Sequence, residues 1–145
     1  VRGLEAKMAP VNQSIELHQV FCVSPAGVFN AFTSAAAWRR WCCDEAQVDP
    51  HVGGQLVVRT PGYEARGEFT TWEPERHLAF TWRGTGEPPT QVDVTLDFRD
   101  GATQMVFRVT NLGDEQAWAR TAHLFQNAWG RALANLKSVL EGTNS

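Results

Sequence analysis

"GDEQAWARTAHLFQNAWGRALANLKSVLEG", residues 113–142, decides the fold. Trp118, Ala122, Phe125, Trp129, Ala132, Leu136 and Leu140 recur in steps of three and four, the spacing of one face of an α-helix. Arg120, Asn127, Arg131 and Asn135 fall on the opposite face. Asp114 is a good N-cap residue, and Gly142 stands where a helix C-terminus favours glycine. The spacing predicts one uninterrupted helix about 40 Å long at ~1.5 Å per residue. Such a helix must cover its apolar stripe with something broad.

The chain before it supplies a sheet. "QVDVTLDF" (91–98) alternates Val92, Val94, Leu96 and Phe98 with Gln91, Asp93, Thr95 and Asp97, the period of a half-buried strand. Asp100-Gly101 is a two-residue hairpin signal, after which "ATQMVFRVT" (102–110) places Met105, Phe107 and Val109 on one side. Further upstream, "QLVVRT" (55–60), Pro61-Gly62, "YEARGEFTTW" (63–72), "EPER" and "HLAFTWR" (77–83) read as strands and tight turns. An antiparallel meander with one apolar side is predicted.

Towards the N-terminus, "SIELHQVFCV" (14–23) reads as a strand with Ile15, Leu17, Phe21 and Val23 on one face. Ser24-Pro25 starts a short helix carrying Val28, Phe29 and Phe32. Thr33 or Ser34 caps a second, with Trp38 and Trp41 on one face. The predicted class is α+β: a curved antiparallel sheet wrapped around the terminal helix, with the short helices closing one edge. Residues 1–13 read as a flexible lead-in and 14–142 as a single domain.

Composition excludes more than it assigns. The 145 residues are 43% hydrophobic and 20% charged, as in an ordinary globular domain. A net charge of −3 offers no attraction to nucleic acid or anionic lipid. No apolar run nears the ~18 residues of a membrane span. "VRGLEAKMAP" shows no signal-peptide pattern, Met8 is an alternative start, and Cys22, Cys42 and Cys43 have no disulfide-framework spacing; together these predict a cytoplasmic protein.

The chemical candidates are few. Cys42 and Cys43 follow the second short helix and precede Asp44 and Glu45, surroundings that raise a thiol pKa; "AAAWRRWCCDEA" (35–46) is read as an apolar wall. His18, His51, His77 and His123 have no metal-ligand spacing, and neither a metal nor a cofactor is expected. Glu64, Arg66 and Glu68 have the opposite parity to Tyr63 and Phe69 and are read as solvent-facing, unless a bulge at Gly67 reverses them. His123 borders the apolar stripe, where it could act as a general base. The aromatics that converge on the helix–sheet interior suggest a ligand cavity. Its expected lining is Trp38, Trp41, Tyr63, Phe69, Phe80, Trp82, Met105, Phe107, Trp118, Ala122, His123, Phe125 and Trp129, with Trp41, Trp82, Trp118 and Phe125 foremost.

"SPAGVFNAFTSAAAWRRW", the Gly53-Gly54 pair, Gly67, "EPERHLAFTW", "DGATQMVFRV" and "AWGRALANLKSVL" occur in an order that resembles the homologues of the activator of the ninety-kilodalton heat-shock chaperone ATPase. That family lies in the START-like (SRPBCC) superfamily, and the match runs from Ile15 to Leu140. The resemblance implies a helix-grip fold, like that of the birch-pollen allergen, with a hydrophobic pocket under the last helix. Cys42 stands where members often carry a second aromatic, a change expected to reshape the pocket mouth; Ala128 replaces a frequent glycine. Three functions follow. The first is binding of a small hydrophobic or aromatic molecule. The second is a cyclase- or aromatase-like enzyme using His123, Glu68 or Arg66, and the third is a module that binds the chaperone, as monomer or homodimer.

Overall fold

The computed structural model describes residues 13–142. Most of the expected lead-in at 1–13 therefore lies outside the described residues. Seven strands and three helices follow in the order β1 (Ser14–Phe21), α1 (Pro25–Thr33), α2 (Ala35–Trp41), β2 (Glu45–Val48), β3 (Gln55–Thr60), β4 (Tyr63–Glu73), β5 (His77–Gly84), β6 (Thr90–Arg99), β7 (Ala102–Asn111) and α3 (Glu115–Glu141). The strands form one antiparallel sheet ordered β1-β7-β6-β5-β4-β3-β2. This is the helix-grip arrangement.

Local chemistry places the ends. Ser24 caps α1 by accepting from the Gly27 N–H, and Pro25 fills the first turn, where its missing donor costs nothing. Ser34, not Thr33, caps α2 through the Ala37 N–H. The capping of α1 ends β1 at Phe21, two residues earlier than the alternation suggests. Asp100 and Gly101 both have positive φ, 53° and 78°, as a type I′ hairpin requires, so Arg99 pairs with Ala102. β2 was not anticipated: it is short and polar, with Ala46 and Val48 alone turned inward.

Helix α3 is capped as expected. The Asp114 carboxylate accepts from the Gln116 and Ala117 N–H groups, and Gly142 ends the helix at φ 67°. Its buried residues are Trp118, Phe125, Trp129, Leu133 and Leu136. Leu133 takes the place the stripe assigned to Ala132, which is half-buried, because the inward face drifts around an untwisted helix.

The core is aromatic. Trp38 is fully buried; its indole N–H donates to the Phe32 carbonyl at 3.0 Å, while that of Trp41 donates to the Ala31 carbonyl at 3.0 Å. These two bonds fold α2 back on α1. The Trp38 ring stacks on Trp41 (4.9 Å between centroids) and on Trp82 (5.9 Å). Phe32 meets Trp38, Trp41, Phe80 and Phe107. The pairing of β4 with β5 shifts between Phe69 and Thr71, and Trp72 then packs edge-on against Phe69 and Phe29. Gly67 allows the tightest strand approach, since a β-carbon there would lie 1.8 Å from the Thr81 carbonyl oxygen.

Two substitutions test this account. Trp38→Ala is expected to destabilise by ~3–5 kcal/mol, the range for truncating a close-packed large aromatic. Gly67→Ala should also lower the urea midpoint, because backbone rather than a flexible side chain must yield. Equilibrium unfolding monitored by circular dichroism measures both; an unchanged midpoint for Gly67→Ala would contradict the close approach.

Candidate functional site

Three polar ties hold the C-terminal half of α3. Asn135 donates to the Trp41 carbonyl at 2.8 Å, Lys137 donates to the Val20 carbonyl at 2.6 Å, and the Glu141 carboxylate accepts from the Cys22 N–H at 2.7 Å. Beside the middle of α3 and the segment joining β5 to β6, a cleft of about 260 Å³ opens between helix and sheet. It is lined by Cys42, Tyr63, Trp82, Glu87, Phe125, Ala128, Trp129 and Ala132.

The walls are rings. Trp82 and Trp129 meet edge-on at 5.0 Å, Trp129 rests on Phe107 at 4.8 Å, and Phe125 stacks on Trp118 at 5.6 Å. Trp82, Phe125 and Trp129 thus line the cleft while each also packs against a buried aromatic. The polar content is one chain of groups. The Trp82 indole N–H donates to the Tyr63 hydroxyl at 3.2 Å, and that hydroxyl donates to Glu87 Oε1 at 2.9 Å. Gly84 makes room for it: a β-carbon at this position would lie 2.1 Å from the Tyr63 oxygen and 2.4 Å from Glu87 Oε1.

Burial governs the ionisation of these groups. It pushes the Glu87 carboxyl above its ordinary value, against the lowering effects of the Tyr63 hydroxyl, the Gly84 backbone and the Trp82 indole. It pushes Tyr63 well up, and the Glu87 charge adds to that. The Cys42 thiol is pushed up to about 12, by burial first and by Cys43 second. Cys42 and Cys43 are thus not nucleophiles: Cys43 is buried wall and Cys42 lines the cleft.

The expected lining divides. Tyr63, Trp82, Phe125 and Trp129 are brought together around the cleft. Trp38, Trp41, Phe69, Phe80, Met105 and Phe107 are buried in the core behind it. Trp118 lies beyond Phe125 rather than against Trp82, and Ala122 is half-buried against the core. His123 needs correction: it is exposed, one residue past the inward edge of α3. Arg66 and Glu68 are exposed as well, because the register shift falls after Phe69 and leaves their parity outward. Glu64 is tied to Arg59 and Arg66 on that outer face. The acid/base set proposed for a cyclase is therefore dispersed in solvent. Glu87, Ala128 and Ala132 escaped the sequence reading. Glu87 sits in "GTGEPPT" (84–90), which has no periodicity to reveal it.

Among the described residues, no group of three or more His, Cys, Asp or Glu could hold a metal ion, and no helix is long and apolar enough to cross a membrane.

Fold and cleft together define a START-like helix-grip protein. The chain belongs to the family of Activator of Hsp90 ATPase homolog 1-like proteins, whose sequence profile matches residues 23–141. No curated protein matches it. Among solved structures, it is similar to DynU16, a protein of the dynemicin biosynthetic locus, with TM-score 0.78 and 20% identity over 89% of this chain. It spans 47% of DynU16, about half that chain. It is also similar to an HSP90 activator from Plasmodium falciparum (TM-score 0.72, 23% identity, 89% of this chain and 96% of the other). Aha1 from Colwellia psychrerythraea, solved as a dimer, gives 0.72 at 21% identity, covering 88% and 96%. At these identities the likeness is one of fold.

Iodoacetamide at mildly alkaline pH is expected to label exposed Cys22 first and to spare Cys42, as peptide mass spectrometry would show. The unfolded thiol ionises near 9.0 and the folded one near 12. Between those values the unfolded chain binds fewer protons, so stability falls as pH rises. Cys42→Ala should flatten part of that fall in urea titrations across the window; an identical slope would remove Cys42 as a contributor.

Proposed function

We propose that this chain binds a small hydrophobic or aromatic molecule in the cleft beside α3, in the cytoplasm and without a metal or covalent cofactor. The observation that carries the reading is the convergence of Trp82, Phe125 and Trp129 on one opening, with the Tyr63–Glu87 hydrogen bond at its edge. Apolar walls with a few fixed polar groups are what ordinary ligand sites offer. The cleft, about 260 Å³, is larger than the ~150 Å³ cavity that takes benzene and smaller than the ~300–1,000 Å³ of sites for drug-sized ligands. A guest of one or two rings suits it.

Family membership supports a second reading, a module that engages a heat-shock chaperone. It would act through the outer surface, and a chaperone ATPase assay with the added chain addresses it directly.

Native mass spectrometry of the chain purified from its own host is expected to show a retained small molecule. Tryptophan fluorescence should respond saturably to polycyclic aromatics, since two lining residues are tryptophans. Trp129→Ala should weaken that binding roughly ten-fold, while Phe29→Leu, outside the cleft, should leave it within about two-fold. Equal effects of both variants, or no saturable response, would defeat the reading.

A further inference from the structure

The cleft has a sign of charge as well as a shape. Its lining contains one carboxylate, Glu87, and no Lys, Arg or His. Glu87 is half-buried, and among the described residues it has no ion-pair partner; the groups that hydrogen-bond to it, the Tyr63 phenol foremost, are neutral. Arg83 and Arg120 line an adjoining groove of which Glu87 is also part, but both are exposed and, among the described residues, neither forms an ion pair with the carboxylate. Taking a charge partly out of water without a counterion is unfavourable, and an incoming cation would relieve that cost. The facing side chains add to the same preference. Trp82, Trp129, Phe125 and Tyr63 surround the opening with aromatic rings, a residue type whose negative quadrupole attracts cations, Trp most strongly.

We infer that the cleft selects a hydrophobic molecule bearing one cationic amine, its ammonium group beside Glu87 and its apolar body between Trp82, Phe125 and Trp129. The inference rests on the ligand-binding reading above and adds the chemical class. A carboxylic acid of the same shape is disfavoured, because it would meet the Glu87 carboxylate with no basic residue among the cleft's lining to pair with. The Tyr63 hydroxyl spends its proton on Oε1, which helps to fix the carboxylate beside the opening.

Three probes of one shape separate the possibilities: naphthylethylamine, naphthylethanol and naphthylacetate, titrated calorimetrically at neutral pH into the full chain. The amine is expected to bind about ten-fold more tightly than the alcohol, and the acid more weakly than either. Glu87→Gln should collapse the amine-to-alcohol ratio towards one. Tyr63→Phe, which removes the neutral donor but keeps the carboxylate and the ring, should retain or widen it. An acid that binds as well as the amine overturns the inference, as does an amine preference that survives Glu87→Gln. Equal binding of all three probes overturns the charge selection while leaving the cleft as a ligand site. No binding by any of them removes both.

Discussion

The structure depends on how α3 is held. An amphipathic helix laid across a curved sheet can be fixed by its apolar face, by polar ties at its ends, or by both. Here the Asn135, Lys137 and Glu141 side chains bond to backbone groups of α2, β1 and the turn after β1, all within the last two turns of the helix. Those bonds reach backbone atoms whose positions secondary structure already sets, so they fix the angle at which α3 leaves the sheet. The middle of the helix follows that angle and is met by rings. Large flat side chains cover area without interlocking as branched aliphatics do, and a gap results where Phe125, Trp129 and Trp82 approach.

The same geometry separates the tryptophans that serve the core from those that face the opening. Trp38 and Trp41 send their indole N–H groups to carbonyls of α1 and stack on one another, so every part of each ring is engaged. Trp82 lies next in the stack, and its N–H points away from the core to Tyr63. A single row of aromatics thus runs from a dry end to a wet one. Hydrogen bonding, more than burial, tells the ends apart, because Trp82 and Trp41 are equally covered at 4% exposure.

Periodicity made most of the fold legible. The alternation in β6 and β7, the Asp100-Gly101 turn and the stripe of α3 are local patterns, and local patterns survive translation into structure when a single apolar face must be buried. β2 was illegible because an edge strand of four residues with two small apolar side chains carries no pattern to detect. His123 was misplaced because each residue turns the helix by ~100°, enough to carry the neighbour of Ala122 from the buried edge into solvent. Glu87 could not have been found by pattern at all. Its place depends on three separate accidents of position: Gly84 leaving space, Tyr63 arriving from the start of β4, and the Pro88-Pro89 pair stiffening the return to β6. Sites built from loop residues are the part of a protein that sequence pattern describes least.

Glu87 also explains why fold likeness alone is a poor guide to what this chain does. The same architecture serves an HSP90 activator in Plasmodium falciparum and a protein of the dynemicin locus, and all three must solve the same problem of covering a curved sheet with one helix. In this chain the core aromatics and the capping residues answer that problem. The connection between β5 and β6 lies outside both the strands and the helices that answer it. Whatever distinguishes one member from another is therefore expected where that connection meets α3. In this chain, that junction joins a half-buried carboxylate to three aromatic walls, and Cys42 lines the same cleft with a small thiol. A ring there would narrow the space against Tyr63 and Trp129; a thiol leaves it open. The opening is thus a property of this chain's own residues, laid over a scaffold that would be stable without it.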